Sequence, residues 1–403
     1  MKWFPMVVGA ALACNPTPAI DDLGLPTLDP VAAGFNPDSL RSLTAFLQAK
    51  AREHAFPGAV LLIGRSSGVV YLSTVGVYGD DDRRPVTART IYDMASLTKV
   101  VGLTTASYLL MNEGAIALDD PVSHYLPDFS GGERDRVTIR HLLTHTSGLP
   151  PWIPLWRETP DRHAAFQRID EEPLENPPGT HYTYSDLGAI LMGRVVERVV
   201  SQTLDQFLYY RVFRPLGMTD TRFNPPDSLK PRIAPTEFDA VYRGRLIRGE
   251  VHDENAYHLG GVSGHAGLFS TAPDLARFAM WLLSAWRGTL DSTANPFLPA
   301  DFVRTVTARQ PGPEGSTRAI GWDTPDPEGG SSAGHFLSPR SFGHTGFTGT
   351  SIWMDPERDL YIILLTNRVH PTRENRALLA IRGQVADRVV QALKDPSLDH
   401  RDP

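Results

Sequence analysis

The sequence predicts an α/β (α+β) protein: an antiparallel sheet flanked by helices, joined to a mainly helical domain. Three observations carry this. A helical pattern followed by two short apolar runs stands near the N-terminus, and two apolar runs followed by a helical pattern stand near the C-terminus. The long stretch between them reads as mainly helical and loop-rich. One sheet closed by both ends of the chain, with the middle inserted, satisfies all three.

Taken in order, the 403-residue chain opens with Met1 and Lys2, an apolar run from Trp3 to Ala13, and its single cysteine, Cys14. A one-lysine start, a short apolar core and the small residues of Ala11-Leu12-Ala13 read as a secretory signal over residues 1–13. Cys14 directly after that site resembles a bacterial lipoprotein signal, although Ala11 stands where leucine or valine is commoner; plain cleavage at the same bond is the alternative. The expectation is an exported protein of the periplasm or cell envelope, with a lipid on Cys14 as its one conceivable membrane contact. A single cysteine excludes an internal disulfide. Residues 14–35 are Pro- and Asp-rich without period and read as a tether.

A helix begins after Asn36, capped by Asn36 or Ser39, with Leu40, Leu43, Phe46 and Leu47 as its apolar stripe. Gly58–Ile63 and Val69–Thr74 flank a Gly-Arg-Ser-Ser-Gly turn and read as a hairpin. Val100–Met111 is an apolar helical run ending near Asn112–Gly114. Val137–His145 is a short helix ending by Gly148, and Ser185–Val200 a long amphipathic one. Pro273–Leu283 is a further helix with proline well placed in its first turn. Strands return at Ser351–Met354 and Leu360–Thr366, and a closing helix runs from about Arg373 to Leu393. The sheet domain is therefore expected over residues 36–115 and 301–397, and the helical domain over residues 116–300.

Hydrophobic content of 41% and charged content of 21% are ordinary for a globular protein. A net charge of -7 without any basic stripe argues against a nucleic-acid partner. No run after the N-terminus reaches the roughly 18 apolar residues of a membrane span.

The chemistry centres on Asp93-Met-Ala-Ser-Leu-Thr-Lys99. At the opening of a helix, Ser96 and Lys99 share one face. A serine hydroxyl is a weak nucleophile until its proton is taken, and an amine one turn away can take or relay it. Burial is expected to lower the lysine's affinity for its proton and so help it act as a base. The plainer alternative is a serine near a helix cap with a solvated lysine one turn on. A second stretch, Pro178-Gly-Thr-His-Tyr-Thr-Tyr-Ser-Asp186, turns the chain and opens a helix, with Ser185 or Asp186 as cap. A third, Gly343-His-Thr-Gly-Phe-Thr-Gly349, places glycines before a strand, where a ligand can approach backbone closely.

The order Ser-x-x-Lys, Tyr-x-Asp, His-Thr-Gly resembles the serine β-lactamase and penicillin-binding protein superfamily, and within it the class C β-lactamase-like serine hydrolases. Ile139–Leu149, Pro215–Thr219 and Gly267–Ala272 extend the resemblance over nearly all of the chain after the signal. It implies a β-lactamase/transpeptidase-like fold with the cleft between the two domains. It implies Ser96 as the acylated nucleophile, Lys99 as its proton partner, and Tyr184 as the hydroxyl that shuttles protons to the leaving group. It also implies an oxyanion hole from the backbone N–H groups of Ser96 and Phe347. Which of Lys99 and Tyr184 is the base stays open.

His344, Thr345 and Gly346 would flank the cleft. The family's middle motif usually ends in Asn, and here Asp186 can only accept when ionised, favouring a substrate donor or a helix cap. The third motif usually starts with Lys, and a mostly neutral His344 would clamp a substrate carboxylate more weakly. Both departures lower the expectation of efficient β-lactam hydrolysis.

The Gly- and His-rich stretch Gly249–Gly267 resembles a branch of cell-wall-associated relatives in which it borders the cleft, implying His265 as a substrate contact. Its spacing fits no tight zinc pattern. His141 and His145, four apart, lack the glutamate of a metallopeptidase helix and are expected to be structural. No metal or cofactor is implied. Trp152 and Trp156 belong either to the cleft mouth or to the core.

The function the resemblance implies is a serine hydrolase cleaving an amide or ester, with D-amino-acid cell-wall peptides first among substrates in a carboxypeptidase-like reaction. The partner is a small molecule or peptide, namely a peptidoglycan fragment, a β-lactam or an ester. A class C-type β-lactamase, an esterase of the same fold and a penicillin-binding sensor that does not turn over are the alternatives.

Overall fold

The computed structural model describes residues 23–329 and 331–394. The proposed signal, Cys14 and residues 14–22 of the tether lie outside the described residues. The helices are α1 (Pro37–Arg52), α2 (Thr105–Asn112), α3 (Val122–Tyr125), α4 (Ile139–Leu143), α5 (Leu155–Glu158), α6 (Arg162–Asp170), α7 (Asp186–Val200), α8 (Leu204–Leu208), α9 (Glu254–His258), α10 (Ala272–Arg287), α11 (Ala300–Thr307) and α12 (Leu378–Gln391). The strands are β1 (Gly58–Arg65), β2 (Gly68–Gly76), β3 (Tyr92–Asp93), β4 (Arg222–Phe223), β5 (Phe238–Asp239), β6 (Arg245–Leu246), β7 (Leu268–Ser270), β8 (Phe342–Thr345), β9 (Ser351–Asp355) and β10 (Leu360–Thr366).

The main sheet runs in the order β2-β1-β10-β9-β8, with every neighbouring pair antiparallel. The N-terminal hairpin thus lies directly beside the C-terminal one, with Ala59 opposite Thr366. Apolar side chains fill both faces of these strands. Val60, Leu62, Ile363 and Leu365 join the large core that includes α10 and the helical part. Leu61, Ile63, Ile362 and Leu364 pack with α1 and α12. Burial on both faces explains why β1 and β10 read as continuous apolar runs rather than as alternation.

Asn36 caps α1, its side chain accepting from the N–H groups of Asp38 at 2.9 Å and Ser39 at 3.2 Å. Leu40, Leu43 and Leu47 are buried as the stripe requires. Residues 23–35 do not hang free as a tether: Leu28 N–H donates to the Val69 carbonyl at 2.8 Å, and Leu23 and Phe35 are buried. Apolar side chains spaced along a Pro-rich segment are enough to lay it on the sheet edge.

Three further expectations are revised. Helix α10 packs against β1 and β10, so the sheet layer resumes well before residue 301. The middle of the chain also contains strands: β3, β7 and β4 form a small sheet, and β5 and β6 a hairpin. Segments of two or three residues are too short to show a period. Finally, the closing helix starts at Leu378, not near Arg373. Arg373 is tied to Glu237, and Asn375 donates to the His54 carbonyl at 2.9 Å, which holds this stretch out of the helix.

Candidate active site

Strand β3 delivers the chain into a tight turn at Met94–Ser96. The Asp93 carboxylate, buried, accepts the Ala95 N–H at 2.8 Å and the His252 N–H at 2.6 Å. Ala95 is thereby held at a φ of 45°, a conformation that L-residues rarely adopt. Ser96 sits in this turn, just ahead of a helical stretch that winds in π turns over Thr98–Thr104 before α2 begins. Strand β8 closes in from the other side. A Cβ on Gly346 would come within 2.5 Å of the Met94 carbonyl, so only glycine lets the end of β8 approach the Ser96 turn this closely.

Lys99 is buried, and its Nζ donates to Ser96 Oγ at 3.1 Å and to the His265 carbonyl at 3.0 Å. It also pairs with Asp186 Oδ1 at 2.6 Å. Burial works against the Lys99 charge, but the Asp186 carboxylate and Tyr184 outweigh it. The ammonium therefore holds its proton more tightly than an ordinary lysine, the reverse of what burial alone would do. Ser185 caps α7, its Oγ accepting the Gly188 N–H at 3.2 Å, which leaves Asp186 free to face Lys99 from the first turn. Asp186 is thus not the cap; it is the counter-ion of Lys99.

The Tyr184 ring lies 5.0 Å from Lys99 Nζ and packs, tilted, beside His145 and His344, at centroid distances of 4.5 and 5.9 Å. His145 fixes this segment twice. Its Nδ1 accepts the Ser185 N–H at 3.1 Å and its carbonyl accepts the Thr183 N–H at 2.9 Å. His141 caps α4 instead, its Nδ1 accepting the Thr138 N–H at 3.2 Å.

His344 Nδ1 lies 2.8 Å from the Thr345 carbonyl, which can only accept, so Nδ1 carries the proton and Nε2 is left as an acceptor. Burial, then the charges of Arg318 and Lys99, push His344 well below the usual histidine range, so it is neutral. Burial does the same to His145, again helped by Arg318 and Lys99.

This has a testable consequence. An unfolded histidine takes up a proton near pH 6.5 whereas these two do not, so stability is full above that pH and lost as pH falls below it. Each contributes a slope of about 1.4 kcal/mol per pH unit. Urea midpoints measured from pH 8 to pH 5 should show this slope reduced by that amount in His344→Gln. An identical slope in the variant would refute the buried neutral ring.

Among the described residues, neither the Ser96 nor the Phe347 N–H donates a hydrogen bond. Both residues line a cavity of about 320 Å³, together with Tyr184, Arg318, His344 and Arg382. A larger cavity of about 490 Å³ lies under α1 and holds none of these side chains.

His265 departs from expectation. Its side chain is buried, with Nε2 2.8 Å from Asp253 and Nδ1 2.8 Å from Ser263, and it is not among the residues lining this cavity. What it offers the site is its backbone carbonyl, on Lys99. Gly264 makes that possible, since a Cβ there would meet the Ala189 carbonyl of α7 at 2.2 Å.

The sequence reading missed three arginines. Arg318 lies over Tyr184, its Nε donating to the Tyr182 hydroxyl at 3.0 Å. Arg382 donates to the carbonyls of Gly346 at 2.6 Å and Thr350 at 2.9 Å, and Arg368 lies over the Phe347 ring. Burial, then Arg368, lowers Arg382 to about 9. None of the three makes an ion pair among the described residues. They are scattered singly through the last third of the chain, and no spacing marks them.

The family profile described as Beta-lactamase matches residues 43–386. A protein of Escherichia coli K12 that carries the provisional name D-alanyl-D-alanine carboxypeptidase is 32% identical over 416 residues, spanning 91% of this chain and 93% of that one. Among solved structures, a class C beta-lactamase superposes with a TM-score of 0.70 at 20% identity, over 89% of this chain and 97% of its own. EstCE1, a hydrolase with promiscuous acyltransferase activity, superposes with a TM-score of 0.68 at 22% identity, over 87% and 99%. The two structures share the fold. Among the described residues no helix is long and apolar enough to cross a membrane.

Proposed function

This chain belongs to the beta-lactamase family, and on that premise we propose that it is a serine carboxypeptidase acting through an acyl-enzyme on Ser96, on peptides ending in D-Ala-D-Ala. The observation that carries the reading is Lys99 Nζ, placed 3.1 Å from Ser96 Oγ and held charged by Asp186 at 2.6 Å. A lysine already protonated cannot simply absorb the serine proton. It works as a relay: Ser96 Oγ attacks the carbonyl carbon and gives its proton to Lys99, which passes one of its own to Tyr184. Tyr184 in turn protonates the leaving nitrogen as the carbon–nitrogen bond breaks. All three groups end with the charges they began with. Water then attacks the ester, giving a proton to the same relay, which returns one to Ser96 Oγ. The Ser96 and Phe347 N–H groups receive the oxyanion in both steps; losing one such donor typically costs about 10²–10³ in rate.

Three buried guanidiniums that make no ion pair among the described residues, Arg318, Arg368 and Arg382, support a substrate that ends in a carboxylate, with the Asp323 charge near Arg318 offsetting only part of theirs. They supply the positive charge that a neutral His344 does not. The 32% identical relative named as a carboxypeptidase points the same way. The expected result is release of D-alanine from an N-acylated D-Ala-D-Ala peptide, with kcat/KM lower by about 30-fold or more when the C-terminus is amidated. Equal turnover of acid and amide would refute the carboxylate site. Turnover of short nitrophenyl esters alone would mark an esterase. Transient penicillin adducts with loss of drug, seen by intact mass, would mark a β-lactamase, and a lasting adduct without peptide turnover would mark a sensor.

A further inference from the structure

A further concavity, of about 440 Å³, lies between α5 and the β5–β6 hairpin. Its walls carry Trp152, Phe238 and Val241, which are 43%, 57% and 73% exposed, an unusual concentration of apolar surface in one groove. Both walls are fixed in advance. Asn255 of α9 donates to the Ile153 carbonyl at 2.8 Å and accepts the Trp156 N–H at 3.3 Å. Across the groove, Asp239 accepts the Val241 and Tyr242 N–H groups at 3.1 and 2.9 Å and pairs with buried Arg243 at 2.8 Å. Tyr242 packs on Trp156 with centroids 4.4 Å apart, so the walls meet at the base.

The groove shares no lining residue with the Ser96 cavity but is tied to it by two sets of contacts. Trp152 follows Pro151, whose carbonyl accepts the Asp186 N–H at 2.9 Å. On the floor, Glu237 lies 3.3 Å from His252, whose ring stacks on Phe347 at 5.6 Å.

Charge selects the occupant. Arg373 bridges Glu237 and Glu254, each at 2.6 Å, and Arg157 lies over the Trp156 ring without an ion pair among the described residues. With Asp239 and Arg243 cancelling each other, the groove is electrically balanced and favours neither a cation nor an anion. An aliphatic chain would desolvate Glu254 and Arg157 without replacing their water, at about 1–3 kcal/mol for each group left unsatisfied. A hydroxyl can donate to the carboxylate and accept from the guanidinium. A neutral ring with hydroxyls at its edge and an apolar face for Trp152 and Phe238 meets every condition. We propose that this groove binds a saccharide ring and thereby seats a glycan beside the serine site.

The test is calorimetric titration of the full chain with β-1,4-linked tetramers of N-acetylglucosamine and of glucose. Saturable binding of at least one tetramer is expected, weakened about tenfold or more by Trp152→Ala and by Phe238→Ala. It should persist in Ser96→Ala, so failure of the hydrolase reading leaves this result standing. Nitrophenyl acetate turnover should be unchanged in Trp152→Ala. Absence of binding by both tetramers, equal affinity in the variants, or preferential binding of a lysine peptide or a hexanoyl amide at Trp152 would overturn the proposal.

Discussion

Ser96→Ala is expected to lower turnover of both peptide and activated ester by about 10⁴-fold or more, as removal of a nucleophile that acts as one unit with its proton partners does. The variant should fold normally. Ser96 lies in a turn fixed by Asp93, whose contacts run to Ala95 and His252 rather than to the serine hydroxyl. Lys99 also keeps Asp186 and the His265 carbonyl as partners when Oγ is removed. Intact mass after mixing with a penicillin should show an adduct on the parent and none on Ser96→Ala. Ester turnover retained within tenfold would place the nucleophile elsewhere.

Asp186→Ala is expected to cost about 3 kcal/mol or more in unfolding free energy, because it strips a buried ammonium of its counter-ion. Urea denaturation should show a lower midpoint at unchanged slope. The same change should reveal what Asp186 does for the chemistry. Burial is the largest influence on Lys99, and once the carboxylate is gone it acts without its main opposition, so the lysine's pKa falls. If the relay starts from a charged lysine, the alkaline limb of the pH–rate profile moves to lower pH in Asp186→Asn, which keeps the side-chain size. Activity that rises instead on the alkaline side would make the free amine the base. A stability equal to that of the parent would mean the ion pair adds nothing.

Local patterns carried far into the fold because they need only neighbours in the chain. The Asn36 cap, the Leu40–Leu43–Leu47 stripe, the β1–β2 hairpin and α7 are each written in under twenty residues. The three-residue step from Ser96 to Lys99 likewise sufficed to bring Oγ and Nζ together, even though the helix begins in π rather than α turns. What the sequence hides is who faces whom across the cleft. Asp186 is visible as a carboxylate at a helix start, but its meeting with Lys99 depends on α7 crossing the Ser96 helix. That meeting reverses the sign of the lysine's shift. His265 is expected as a substrate contact because its stretch resembles one that borders the cleft in relatives, yet Gly264 lets the His265 backbone, not the ring, reach Lys99. Arg318, Arg368 and Arg382 converge only through folding.

The pairing of β1 with β10 has a consequence for how the chain comes to be folded. The central pair of the sheet is made of segments from opposite ends of the sequence, Ala59 against Thr366. At typical synthesis rates of about 5–20 residues per second, the β1 edge waits some 15–60 s for its partner to be made. Throughout that interval a fully apolar strand, Val60 to Ile63, presents unpaired backbone, the kind of edge that recruits other chains. A topology so rich in distant pairings folds slowly. The Ser96 turn, made early, and strand β8 with Arg382, made late, come together only when the sheet closes, so the Ser96 cavity is completed as the last act of folding rather than growing with the chain.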